Sequence, residues 1–386
     1  MNFLYTAGTA RGGTNYRTLI LNNHSNISMS IDPLIPLFHF YKKSLLINNG
    51  NGDMLSNDFA NVLDDYFFDN KRIQIMKAIQ KSDPDIPFDM EYWGSLKGKI
   101  KSRMSLASSN LIPYLDMIPA PTFHQVFQNI IDLLSSLSKK KNLQWVGFND
   151  NWTVEFFPLI AKLFPNAKFI IHLRDPRAVV CSSEFAEPDP MKRPTIMSFS
   201  RHLRKYYAFT EFFLNNPILT NRLLVTYYES FVNYPEKETR KVLDFINLEY
   251  EPNMIDVNLF RKATGEKWGT DKKIYEESVK IWETQMPKEM AELVEFICSP
   301  DMQIHGYKPL YYDDIIGLSN KAYDFALKNF NNCLGWRTDF NEFSKTMGCE
   351  LNRKKIIKSN KLTKKLIEEN FLFTEYYLKF KNLSNG

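Results

Sequence analysis

The segment Ala7-Gly8-Thr9-Ala10-Arg11-Gly12-Gly13-Thr14-Asn15 constrains this chain more than any other. It follows a short apolar run, residues 3–7, and precedes residues 15–23, where Tyr16, Leu19 and Ile20 recur with the helical period. Strand, glycine-rich turn and helix start together turn backbone N–H groups and the positive end of a helix toward an anion. Gly8 and Gly13 have the separation of the Walker A pattern GxxxxGK[ST]. Thr14, however, stands where its lysine belongs, and Asn15 where its magnesium-binding hydroxyl belongs. The cation is Arg11, inside the turn. Such a loop suits an anion whose transfer does not need Mg²⁺. A turn with the same glycines and no ligand is the plain structural alternative.

The rest of the chain has a matching rhythm. Residues 27–31 read as a second strand and 33–47 as a helix. Residues 48–144 read as a helical insertion: a loop at 48–53, helices at 61–68 and 71–81, a break at 82–87, and a helix at 122–137 after Pro119-Ala120-Pro121. Lys139-Lys140-Lys141 closes that last helix and complements its dipole. Strands at 144–148, 168–173 and 223–227 then alternate with helices at 152–164, from Pro176, and at 235–246. The strand at 168–173 is nearly continuous apolar sequence, as a central parallel strand is. The expected fold is α/β, a central parallel sheet flanked by helices. Residues 311–386 read as Lys- and Asn-rich helices without evident chemistry, a C-terminal extension that caps the domain or joins it into a homo-oligomer.

Composition excludes more than it selects. The 386 residues carry a net charge of +5, with basic residues dispersed, which gives no nucleic-acid footprint. The four cysteines and six histidines fall at no metal-ligand spacing, and no metal is expected. No apolar run is long enough to span a bilayer. A strand starting at residue 2 leaves no room for a targeting segment, so the expected location is the cytoplasm, of a bacterium.

A second anion element is more specific. In Phe164-Pro165-Asn166-Ala167-Lys168-Phe169-Ile170-Ile171-His172-Leu173-Arg174-Asp175-Pro176-Arg177-Ala178-Val179-Val180-Cys181-Ser182, Arg174 ends a strand and Ser182 lies about two helical turns on. The helix can bring that hydroxyl back beside the guanidinium, whose fork of donors matches a phosphate. The structural alternative pairs Arg174 with Asp175 and leaves Ser182 on a helix surface; Arg177 is either a third cation or a solvated side chain. With both elements in this order, the chain resembles the sulfotransferases that use 3′-phosphoadenosine-5′-phosphosulfate (PAPS). The pattern is closest to the tyrosylprotein, carbohydrate-type and bacterial members.

The resemblance covers about residues 1–45 and 144–310. It implies a P-loop-like sulfotransferase core over 1–310, with 48–144 inserted on the acceptor side and 311–386 unmatched. It implies that Arg11, Gly12, Gly13 and Thr14, with the adjacent Asn15, hold the 5′-phosphosulfate, and that Arg174 and Ser182 hold the 3′-phosphate. Arg222-Leu223-Leu224-Val225-Thr226-Tyr227-Tyr228-Glu229 looks like the family's Tyr-Glu strand, which puts Tyr228 near the nucleotide. Ser278 and Lys280, in a stretch like the family's closing segment, are candidates to touch the donor phosphates.

The implied reaction is an in-line displacement that leaves 3′,5′-ADP, its charge stabilised by Arg11. The attacking hydroxyl or amine needs a base. Asp32 is the candidate; the alternative is an N-cap before Pro33. His24 is the rival base. One departure stands out: Asn149 occupies the position where members often carry a lysine. Either Arg11, Arg17 or another lysine takes that role, or activity is weak, or the chain only binds nucleotide. A small-molecule kinase and a non-catalytic nucleotide-binding protein are the competing functions. The acceptor is expected to be a carbohydrate, lipid-linked saccharide or small metabolite. Tyr66, Phe67, Phe68, Tyr92 and Trp93 either line its pocket or pack the insertion's own core, with core packing favoured.

Overall fold

The computed structural model describes residues 1–48, 77–88, 90–118, 122–186, 196–262, 265–268, 272–311, 340–359, 362–371 and 373–384. Its strands are β1 Asn2–Gly8, β2 Ile27–Ile31, β3 Trp145–Asn149, β4 Lys168–Leu173 and β5 Leu223–Tyr227. The helices up to the last strand are α1 Thr14–Asn22, α2 Ile35–Asn48, α3 Met90–Ala107, α4 Phe123–Leu137, α5 Phe157–Leu163, α6 Pro176–Ala186 and α7 Ile196–Leu214. After it come α8 Tyr228–Asn233, α9 Pro235–Ile246, α10 Lys272–Val279, α11 Ile281–Gln285, α12 Lys288–Cys298, α13 Asp301–Ile304, α14 Phe340–Lys358, α15 Lys364–Phe371 and α16 Thr374–Ser384.

The five strands form one parallel sheet in the order β2-β3-β1-β4-β5. β1 is central, and residues 3–8 are all buried, so its apolar run is continuous rather than alternating. Tyr5 pairs with Phe148 on one side and Phe169 on the other. Phe38, Phe127 and Phe157 pack edge-on or tilted against Tyr5, a geometry that aromatic quadrupoles favour, and Phe3, Phe123 and Phe156 complete the cluster. The buried Tyr5 hydroxyl is satisfied by Thr153 Oγ1 at 2.6 Å.

By contact the chain divides into two compact units. The first takes the sheet and the described residues through 173, with 216–276; the second takes 174–215 and 277–384. In the second, α7 packs on α12, α13 and α16. Buried charges tie in the described helices of the tail: Arg204 pairs with Glu350, and Arg353 with Asp301. Pairing of this kind offsets part of the cost of taking such ions from water.

Three local expectations change. The helix expected at 152–164 is a 3₁₀ turn, Val154–Phe156, followed by α5, because Trp152 adopts a left-handed φ of 72°. The lysine run after α4 serves a different helix: Lys140 Nζ donates to the carbonyls of Asn22, His24 and Ile27, at the end of α1. Trp93 is buried, with Lys97 over its ring, and belongs to the packing of the insertion. The Tyr92 side chain, Tyr66, Phe67, Phe68, the helix at 61–68, the loop after Asn48 and residues 71–76 lie outside what is described; 77–81 is helical. Among the described residues no helix is long and apolar enough to cross a membrane, and no group of three or more His, Cys, Asp or Glu is placed to hold a metal.

Candidate functional site

In the first unit, β1 hands directly into the glycine-rich turn. Gly12 N donates to Thr9 O at 2.9 Å, Arg11 lies at φ 63°, and Gly13 at φ 80° opens α1. Three glycines of the loop are required by space, a Cβ on Gly12 standing 2.8 Å from Thr9 O. A Cβ on Gly8 would stand 2.4 Å from Thr14 Cγ2 and 2.9 Å from His172 O; one on Gly13 would stand 1.9 Å from Tyr228 Cδ2. Tyr228 is thus packed against the loop. It is buried, and its hydroxyl donates to Tyr275 O at 3.3 Å. Arg11 is exposed, Thr14 buried and Asn15 half-buried.

The segment after β3 is fastened to this loop and to the end of β2. Asp150 N donates to Thr6 O at 3.0 Å, Trp152 N to Gly8 O at 3.2 Å, and Asp32 N to Asn149 O at 2.6 Å. Asn151 stands between the two candidate sites. Its Oδ1 accepts from Thr14 Oγ1 at 3.1 Å, while its backbone N and Nδ2 donate to Asp32 Oδ1 and Oδ2 at 3.0 and 3.1 Å. Arg103, from α3, adds a 2.7 Å ion pair to Asp32 Oδ2. Burial raises the Asp32 carboxyl above its ordinary range; Arg103 and Asn151 oppose that rise.

The capping alternative for Asp32 is not what the structure uses. Asp150 Oδ1 accepts from Leu34 N at 3.0 Å, at the start of α2. His24 has both ring nitrogens engaged: Nδ1 accepts from Asn26 N at 2.9 Å, and Nε2 faces Glu249 O at 2.9 Å. It is a structural residue at the end of α1. Asn149, fully buried, accepts from Thr6 Oγ1 at 3.1 Å and from Arg17 Nη2 at 3.0 Å. Sequence reasoning missed Arg103, Asp150 and Asn151. The last two adjoin Asn149 and carried a signal in that adjacency; Arg103 carried none.

In the second unit, Arg174 is buried and its Nη2 donates to Ser278 O. Ser278 therefore engages Arg174 through its backbone carbonyl. Ser182 is half-buried on α6, and Lys280 is exposed between α10 and α11. Asp175 takes Arg177 through both carboxylate oxygens, at 3.0 and 2.7 Å. Arg177 also donates to Glu295 at 2.6 Å and lies 3.9 Å over the Trp282 ring. It is neither a solvated side chain nor a spare cation; it ties α6 to α11 and α12.

A parallel sheet whose first strand ends in a glycine-rich turn at a helix start defines an α/β protein of the P-loop-like kind. Its family follows from comparison: the Sulfotransferase family profile matches residues 5–252, and the chain belongs to that family. It is 28% identical to a putative protein-tyrosine sulfotransferase of Caenorhabditis briggsae over 113 residues, 28% of this chain and 38% of that protein. It is 26% identical to carbohydrate sulfotransferase 3 of Tetronarce californica over 186 residues, 43% of this chain and 41% of that protein. The match thus spans about two fifths of either relative's length. Among solved structures, the sulfotransferase domain from the curacin biosynthetic pathway aligns over 79% of this chain and 98% of its own, at 15% identity and a TM-score of 0.41.

Proposed function

We propose that this chain transfers a sulfonyl group from PAPS to an acceptor hydroxyl or amine, with Asp32 as the base. The observation that carries the reading is the Thr14–Asn151–Asp32 chain of hydrogen bonds, which joins the anion loop to a half-buried carboxylate. A base and an anion cradle held by one intervening residue suit a reaction in which an acceptor loses a proton beside a transferring anion.

The turn, with Arg11 and Gly13 at positive φ just before α1, suits close backbone approach to the 5′-phosphosulfate. The acceptor oxygen or nitrogen attacks sulfur as its proton passes to Asp32. The sulfur–oxygen bond to the 5′-phosphate breaks, and 3′,5′-ADP leaves with the bonding electron pair. Arg11 and the loop N–H groups receive that charge. Arg174 and Ser182 are assigned to the 3′-phosphate, a role the family resemblance supplies.

Arg103 comes from the insertion, which supports an acceptor side built from residues 48–144. The acceptor class we favour is a carbohydrate, a lipid-linked saccharide or a small metabolite. Incubation with PAPS and a panel of saccharides, lipids and phenols, with products read by mass spectrometry, tests the reading. An added sulfonyl group together with released 3′,5′-ADP is expected. Donor binding with no product from any acceptor class would favour a nucleotide-binding role instead.

A further inference from the structure

Arg17 is a fully buried guanidinium on α1, one turn beyond the anion loop, and its environment is incomplete. It donates through Nη2 to Asn149 Oδ1 at 3.0 Å, while among the described residues Nε and Nη1 have no hydrogen-bond partner. Asn149 Nδ2 has none either. No carboxylate among the described residues pairs with Arg17, and burial alone acts on it, pushing its pKa down to about 9. An isolated buried cation is among the costliest groups a fold can carry, and buried donors left unmade cost more than most single contacts gain. Hydrogen bonds are the less forgiving part, because a guanidinium cannot turn away from its own fork.

An anion would satisfy both. Asn149 ends β3, where the family's members often place a lysine, and a lysine there would stand directly beside Arg17. The two arrangements are alternatives: one cation at the strand end, or one on the helix behind an amide.

We propose that Arg17, with the Asn149 amide, is a second cationic arm for the 5′-anion of the donor, standing in for the lysine absent at 149. This rests on the donor assignment made above. Arg17 and Asn149 both belong to the sheet unit, Arg17 in the first turn of α1 after the loop and Asn149 bonded to Thr6 near the end of β1. The donor's 5′-phosphosulfate, and the 5′-phosphate left after transfer, supply the oxygens that Nε, Nη1 and Asn149 Nδ2 lack.

The test compares the affinities of 3′,5′-ADP and adenosine 3′-monophosphate, by calorimetry, for the wild type, Arg17→Met and Arg17→Met/Asn149→Lys. For Arg17→Met we expect a loss of about tenfold or more for 3′,5′-ADP, little change for the 3′-monophosphate, and an unliganded melting temperature at or above wild type. Returning the cation to the strand end in the double variant should recover most of the loss. Retained affinity in Arg17→Met, or equal weakening toward both nucleotides with a lowered melting temperature, would overturn the proposal; so would a double variant as weak as the single one. Should Arg17→Met not fold, Arg17→Lys carries the test, since it keeps charge without the fork and should show the same selective loss, smaller in size. A wild-type chain that binds neither nucleotide would remove the donor assignment itself. Wild-type binding with an indifferent Arg17→Met would remove this inference alone.

Discussion

Asp32 and Arg103 meet at 2.7 Å, an ion pair that fastens the residue after β2 to a helix of the insertion. Burial raises the Asp32 carboxyl, and Arg103 is the foremost group opposing that rise. A base must be ionised at the working pH to accept a proton. Arg103→Met removes the opposing charge, so the acidic limb of the pH–activity profile should move to higher pH. Rates measured across neutral pH with PAPS and an identified acceptor check this. Titration of ¹³C-labelled Asp carboxyls reads the same shift without an acceptor. A profile that does not move would separate Arg103 from the ionisation of Asp32.

Asp150 gives a stability prediction with a definite sign. It is fully buried, and burial first, then the Asp32 charge, holds its carboxyl well above the ordinary range. The folded chain therefore keeps a proton that the unfolded chain releases near about pH 3.9. Between that value and the folded pKa, stability falls as pH rises. Asp150→Asn keeps an oxygen for Leu34 N and removes the titration. The variant should lose this downward slope and gain stability over wild type toward neutral pH. Urea unfolding at several pH values checks it; a constant deficit at every pH would contradict it.

These two residues also mark where the sequence stops being readable. The loop was legible because glycine spacing between strand and helix has few physical solutions, and β4 and β5 fall where their apolar runs predict. Arg103 was not legible. Seventy-one positions separate it from Asp32, and a polar helix face does not announce which of its cations turns inward. Lys140 shows a subtler failure. Basic residues after a helix do complement a dipole, but this side chain reaches across to α1 rather than back to α4. Asp32 before Pro33 has the composition of a cap, yet Asp150 takes that work from the end of a neighbouring strand, a placement set by sheet register.

Arg174 and Arg177, three positions apart, should part company under substitution. Arg174→Ala should weaken 3′,5′-ADP by about tenfold or more and 5′-AMP much less, because only the former carries the phosphate assigned to it. Equal losses would remove the 3′-phosphate assignment. Arg177→Ala removes the guanidinium that pairs with Asp175 and Glu295 and uncovers Trp282, so it should cost about 3–5 kcal/mol of stability without distinguishing the two nucleotides. Calorimetric affinities paired with thermal unfolding separate these outcomes.

Lys140 links the end of α4 to the sheet edge, and its test uses both charge and geometry. Burial pushes its ammonium down to about 8, with Glu251 opposing. The unfolded chain holds that proton to about 10.4, so this group makes stability rise with pH between the two values. Lys140→Met flattens the rise and leaves the carbonyls of Asn22, His24 and Ile27 without this donor. The expected cost at pH 7 is about 1–3 kcal/mol, the penalty for a buried acceptor left unmade. The gap from wild type should then widen as pH climbs past 8. Denaturant midpoints from pH 7 upward measure both effects, and a variant as stable as wild type at pH 7 would show that water serves those carbonyls equally well.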